Sequence, residues 1–481
     1  MAFGTLRSQA RRKMRMSGLA VAAAIVVGLG SVETARAESL ADALVGSYGH
    51  SGLLDQNRAL LRAADEDVAV AGAALEPVLR WTAGFTQTLG RARLSSAPGS
   101  VQSTDSLAAQ GQLIAELLLY DFGATALGVE VAKETVLATR QTLIAIEQQV
   151  LLRAVEAYMG VIETNELVAL RQNNLRVLMQ ELRAAENRFE VGEVTRTDVA
   201  LAQAQLAEAR SGLATAQGNR AIAVEEYRNI IGRSPGNLSA PPSLPALSND
   251  IDGAKAVAVR RHPELRAVQH QVAAAELAIR RAEAQKRPTV TAQGALSLSN
   301  NFDNSNFSTG ASIGLNASNT LYAGGARSAA VRIAQARRDA QRGNLHVVRN
   351  NIQQNVGIAY AQLSSARASL QASDERIRAA RIAFQGVREE ATLGARTTLD
   401  VLDAEQSLLD AEASRISAQT LLYVAAYSVL SATGQLTARD LRLPIQQYDV
   451  TEYYNLVKDS PTSRSEQGQA LDRVLQRLQK N

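Results

Sequence analysis

The chain has 481 residues, 51 Lys+Arg against 47 Asp+Glu, a formal net charge of +4 and no cysteine. Without cysteine there is no disulfide, thiolate metal site, cysteine nucleophile or lipidated N-terminal cysteine. The four histidines, His50, His262, His270 and His346, lack metal-ligand spacing such as H-E-x-x-H, and His262, just before Pro263, reads as a structural residue at a helix start.

Residues 1–37 read as a secretory targeting segment. It has a basic run Arg11-Arg12-Lys13-Met14-Arg15, an apolar stretch over residues 18–30 and a cleavage-type triplet Ala35-Arg36-Ala37. The apolar stretch is short for a membrane-spanning helix, so the mature chain is expected to begin near Glu38. Six basic residues and one acid leave with it, a loss of five net positive charges that brings +4 to −1. The basic balance therefore belongs to the leader, and no nucleic-acid partner is expected.

An internal duplication organises the rest of the chain. At a constant offset of 202 residues, Leu119-Tyr120 falls on Leu321-Tyr322, Ala157-Tyr158 on Ala359-Tyr360, Gly192 on Gly394, Thr195 on Thr397 and Asp198 on Asp400. Repeats of this kind decide the fold before any single element does. The first repeat spans residues 38–240 and the second residues 241–440; residues 441–481 come after them.

Each repeat opens on an Ala-rich helical segment, 39–75 and 251–286, that runs into Pro77 or Pro288. The pattern then changes to period 2. Leu79, Trp81, Ala83 and Phe85 alternate with Arg80, Thr82, Gly84 and Thr86; Leu296 belongs to a second such run, Ile313 and Leu315 to a third, and residues 107–119 alternate more weakly. Four strands in two hairpins are expected, over 77–121 and 288–321, with polar loops at 90–104 and 300–306. The strands are about as long as those of a membrane barrel; if they cross a membrane, Leu79, Trp81, Phe85, Leu296, Ile313 and Leu315 face lipid, and the alternative is a small soluble sheet packed on helices. Four strands cannot close a barrel and open edges are not viable in lipid, so if the strands span a membrane the chain must assemble, and three copies would supply twelve strands.

Long helices come next, at 124–190 and 326–392, free of proline and about 100 Å long at 1.5 Å per residue. Their partners, 197–232 and 399–434, carry alanine every seventh residue: Ala202, Ala209, Ala216 and Ala223, then Ala404, Ala411, Ala418 and Ala425. That is a coiled-coil seam with one small-residue register. Between each long helix and its partner stands a turn. Gly192 and Gly394 suit the left-handed position that ends a helix, and Thr195 and Thr397 suit N-caps with Asp198 and Asp400 three residues on. Between the repeats, residues 233–250 hold Pro235, Pro241, Pro242 and Pro245 and read as a rigid connector. Residues 460–481 are polar and expected to be disordered, with a marginal helix near 471–478.

No constellation of nucleophile, base or metal ligands points to an enzyme, and no cofactor is implied. Asp400 and Asp403 share a helix face at i, i+3 spacing. An acid in the first turn is explained by the helix dipole alone, whereas Asp403 lies further in and has Leu201 as its counterpart.

The run Gly394-Ala395-Arg396-Thr397-Thr398-Leu399-Asp400-Val401-Leu402-Asp403-Ala404, with the duplication, the Leu-Tyr-x-Gly-Gly of residues 321–325 and the Arg-His-Pro-Glu-Leu of residues 261–265, resembles the TolC family of outer-membrane channel-tunnel proteins. The resemblance implies a mainly α fold with membrane β: a homotrimer in which four strands per protomer share a 12-stranded barrel above a periplasmic tunnel of long helices. It implies an exit duct for efflux or type I secretion in a Gram-negative outer membrane. A periplasmic adaptor and an inner-membrane ABC or proton-driven transporter would serve as partners. It further implies that Asp400 and Asp403 ring the periplasmic entrance and select cations, and that Arg396 latches the closed entrance to Thr197 and Asp198. Ala391 stands where well-known relatives carry a tyrosine of that latch, so the latch is expected to be weaker here or to rest on other contacts. The alternative is a periplasmic coiled-coil adaptor, which should carry one helical hairpin and a lipoyl-like β module.

Overall fold

The computed structural model describes residues 37–93, 101–302, 306–459, 461–462 and 464–478. The expected targeting segment, apart from Ala37, and the tips of both polar loops lie outside the described residues.

Each repeat begins with a broken helix pair rather than one segment. Helix α1 (Leu40–His50) starts at a capping box between Ser39 and Asp42, and Ser51 both ends it and caps α2 (Gly52–Ala73). In the second repeat α5 (Ile251–Arg261) stops at His262, whose φ −60° and ψ 125° are the extended values that a following proline imposes, and Pro263 opens α6 (Pro263–Ala284). Burial pushes the His262 imidazole below its usual pKa, so it stays neutral in this elbow.

Strands β1 (Val78–Arg93), β2 (Val101–Tyr120), β3 (Thr289–Asn301) and β4 (Asn306–Ser318) form one antiparallel sheet in the order β1-β2-β3-β4. The two hairpins meet where β2 pairs with β3. Register runs straight across all four strands: Trp81 opposes Leu113, Leu113 opposes Leu296 and Leu296 opposes Ala311, while Leu79 opposes Ala115, Ala115 opposes Gly294 and Gly294 opposes Ile313. Opposed residues share a face, so Leu79, Trp81, Phe85, Leu296, Ile313 and Leu315 all lie on one side. That side is bare: Trp81 is 75% and Ile313 95% exposed. The other face carries Thr82, Gln112, Ser297 and Gly310 in one row. β1 and β4 are open edges in the protomer.

Below the sheet run α3 (Ala124–Glu190) and α7 (Ala326–Thr392), 67 residues each and therefore about 100 Å long. α4 (Arg196–Ile231) packs back along α3 and α8 (Thr398–Ala432) along α7. The heptad alanines face inward where the hairpins meet their neighbours: Ala202, Ala209, Ala411, Ala418 and Ala425 are buried.

The core sits midway along the helices. In the first repeat Leu40, Leu44, Leu151, Val155, Tyr227 and Ile231 pack together with Tyr427 and Leu436; the second has Leu265, Val268, Ile352, Val356, Leu422 and Val429. The duplicated tyrosines fasten the proline-bearing connector at two points. Tyr158 Oη donates to the Ser239 carbonyl at 2.8 Å and Tyr360 Oη to the Ser248 carbonyl at 2.9 Å. After α8 the chain returns along α2 and α3, placing Tyr448, Val450 and Tyr454 against Leu54, Leu61 and Val136. Short α9 (Glu452–Val457) holds Tyr453, whose hydroxyl meets Glu66 at 2.7 Å. The tail departs from the expected disorder but includes the helix expected near 471–478: α10 (Glu466–Leu478) starts earlier and is fully formed, because Leu471 and Leu475, one turn apart, pack beside Tyr453 and Val457. Among the described residues no helix is long and apolar enough to cross a membrane.

Candidate functional site

The two turns at the far ends of the helical hairpins form the site. Both are built alike. In the turn from α7 to α8, Gly394 sits at φ +78° and Ala395 N–H donates back to the Glu390 carbonyl at 2.9 Å. In the turn from α3 to α4, Gly192 sits at φ +79° and Glu193 N–H donates to the Arg188 carbonyl at 2.9 Å. A left-handed residue closed by this bond ends a helix in about one turn, and glycine adopts it without Cβ strain.

Each following helix starts on a capping box. Thr397 N–H donates to Asp400 Oδ2 at 2.9 Å and Asp400 N–H donates to Thr397 Oγ1 at 3.2 Å; the Thr195–Asp198 pair repeats this at 2.8 and 3.3 Å. The N–H and hydroxyl of Thr397 hold the Asp400 carboxyl below the usual range, with Arg396 contributing, and the hydroxyl and N–H of Thr195 do the same for Asp198. Both aspartates are therefore firmly anionic. Asp403, one turn further along α8, is exposed.

The two turns enclose a cleft of about 510 Å³ lined by residues that include Arg188, Glu193, Asp198, Ala391, Arg396 and Thr397. Arg396 and Asp198 thus share one cleft, and the Arg396 Nε bonds Glu390 Oε2 of its own hairpin at 2.8 Å. Thr197 is exposed on the first turn of α4 and does not line the cleft. Among the described residues no hydrogen bond or ion pair of this single chain joins Arg396 to Thr197 or Asp198. Ala391 is buried against the turn.

One residue near the site is not evident from the motifs. Glu405, two turns into α8, is buried and accepts a hydrogen bond from Asn174 of α3 at 2.9 Å. Its signal is present in the spacing Leu402, Glu405, Leu409, which puts an acid on the apolar stripe of the helix. No group of three or more His, Cys, Asp or Glu among the described residues could hold a metal ion.

A sequence model of the outer membrane efflux protein family matches residues 49–233 and 256–435. The chain belongs to that family. The two matched stretches of this outer membrane efflux protein are its two repeats, and the gap between them holds most of the proline-bearing connector. It is 34% identical over 444 residues to the outer membrane efflux protein BepC of Brucella suis biovar 1, across 91% of this chain and 95% of that protein. It is 27% identical over 301 residues to the alkaline protease secretion protein AprF of Pseudomonas aeruginosa, across 60% of each chain. In structure it is similar to the CmeC outer membrane channel of Campylobacter jejuni, with a TM-score of 0.73 and 14% identity over 88% of this chain and 90% of that one. The efflux protein is therefore a channel-tunnel protein of the outer membrane, of the TolC type that its motifs resemble.

Proposed function

We propose that the chain is the exit duct of a tripartite efflux or type I secretion system, a passive homotrimeric conduit gated at its periplasmic end. One observation carries this reading: a sheet with one bare apolar face and two open edges stands on helices about 100 Å long, which end in paired, rigidly capped turns. The sheet fits a wall shared with other copies in lipid, with Leu79, Trp81, Phe85, Leu296, Ile313 and Leu315 outward. The helices fit a tunnel across the periplasm, and the turns fit its entrance. Energy and cargo choice would come from an inner-membrane transporter of the ABC or proton-driven kind, recruited through a periplasmic adaptor. AprF is named for protease secretion and BepC for efflux, and both routes suit a duct that contains no motor. An adaptor would need one helical hairpin and a lipoyl-like module, whereas this chain has two helical hairpins and a four-stranded sheet.

At the entrance, three copies would bring six carboxylates, Asp400 and Asp403 from each, around one axis. Crowded anions concentrate cations, multivalent ones most. In planar bilayers the wild-type channel is expected to prefer cations and to be blocked by multivalent cations from the periplasmic side. Asp400→Ala combined with Asp403→Ala should lower the preference and relieve the block. Unchanged selectivity and block would return Asp400 to helix capping alone and remove Asp403 from the entrance.

A further inference from the structure

About two turns above the Thr397 cap, α8 carries an acid that capping and the entrance ring leave unexplained. Glu405 is only 6% exposed within a single protomer. It lies between the buried Leu402 and Leu409 on a stripe where Leu402 packs with Leu178 of α3 and with Leu206 and Ala209 of α4. Its Oε1 accepts from Asn174 Nδ2 at 2.9 Å, and its Oε2 is buried with no hydrogen-bond partner. Two charged groups act on it, Glu181 from α3 and Arg388 from α7, and these are already paired with each other at 3.2 Å. α4 presents apolar side chains, and its Gln205 meets Gln406 of α8 at 3.4 Å. The seam thus offers a carboxylic acid one amide donor and an apolar wall, and offers a carboxylate no counter-ion of its own.

We propose that Glu405 is a proton-operated clasp between α8 and α3: protonated, it lets the first turns of α8 pack on α3; ionised, it drives them apart so that the carboxylate reaches water. Burial, with Glu181 adding to it, pushes Glu405 up to about 7 from an ordinary value of 4.5, against the opposing pull of Asn174 and Arg388. The packed seam therefore holds a proton that the parted seam releases. The stability of the packed form is complete below about pH 4.5, falls as pH rises from there, and levels off above about pH 7. The consequence for conduction rests on the duct reading; the packing change does not.

Hydrogen exchange of the assembled protein in detergent tests the packing directly. Wild type and Glu405→Gln are compared at the same pH, so the intrinsic exchange rate cancels. The amide keeps the shape and the Asn174 bond but cannot ionise. The excess exchange of wild type over Glu405→Gln in the first turns of α8 is expected to grow about tenfold or more between about pH 5.5 and about pH 8, because proton release weakens the packed form by up to a factor of ten per pH unit over part of that range. A constant excess would overturn the clasp. Asn174→Leu removes the hydrogen bond that favours the ionised form, so it should move the rise to higher pH; an unmoved rise would also overturn it. Bilayer conductance read in parallel should climb with pH in wild type and stay flat in Glu405→Gln. Exchange that responds while conductance does not would uphold the clasp and count against placing this seam at the gate of a duct.

Discussion

Thr195–Asp198 and Thr397–Asp400 complete their hydrogen bonds within their own hairpins, so the tips are rigid before any partner arrives. Because their folded-state carboxyls are depressed, the stability they contribute is present above the ordinary carboxylate value near 3.8 and is lost as pH falls through the lower folded values. Acid should therefore fray the tips, opposite in sign to its effect at Glu405. Arg396 is the residue whose partner is in contention. It bonds Glu390 at 2.8 Å in the single chain, and the family resemblance pairs it with Thr197 and Asp198. Two substitutions separate these roles in single-channel recordings. Arg396→Ser should raise conductance if Arg396 latches the entrance. Glu390→Gln should then lower it, because the guanidinium is freed for Asp198 across the shared cleft. If both variants shift conductance the same way, Arg396 acts through its own hairpin. The capping boxes were legible because Thr-x-x-Asp after glycine is a local signal. The Arg396–Glu390 pair was not, since it forms only once Gly394 has reversed the chain. Glu405 was half legible: its place on the apolar stripe can be counted, but Asn174 lies 231 residues away and depends on how α3 registers on α8.

The helices owe their length to the absence of proline, and their pairing to the alanine heptad. Both were readable, and α3 and α7 occupy 124–190 and 326–392 as expected from the sequence. What the periodicity did not reveal were interruptions. Ser51 breaks the first segment by capping a new helix; the second break was marked instead by the His262-Pro263 pair itself, since Pro263 starts a helix and holds His262 extended. α10 was undervalued because its composition is polar, whereas two leucines at i, i+4 suffice once Val457 and Tyr453 give them a surface. The heptad supports a graded test. Ala411 is 0% exposed in its seam, so Ala411→Leu should overpack it and destabilise the protein by about 1–3 kcal/mol. Ala216, in the same register of α4, is only half-buried, and Ala216→Leu should cost clearly less. Thermal melts of the two variants check this, and equal losses would mean that the seam is not graded by burial as the single chain implies.

At the scale of the whole molecule, the proposed trimer rests on the sheet. The sheet's apolar face suits lipid, but its open β1 and β4 edges are untenable there for one chain, because unpaired backbone groups go unsatisfied. Two copies would supply eight strands, but a barrel of about eight strands is filled by its own side chains. A conduit needs more. Three copies would give twelve strands, and the face opposite the apolar one offers Thr82, Gln112, Ser297 and Gly310, small or polar residues suited to a wet lumen. The same three copies would bring six helical hairpins together into a tunnel wall, which gives the bare flanks of α7, including Ile333, Ile358 and Ile382, neighbours to pack against. Cross-linking of the protein purified in detergent should therefore give a trimer as the largest major species. Replacing Ile358 by Lys, far from both the sheet and the entrance turns, should reduce trimer yield without altering the melting of whatever monomer remains. A dominant dimer, or a trimer indifferent to charge on that flank, would mean that the copies meet by another surface and that the twelve-stranded wall is wrong.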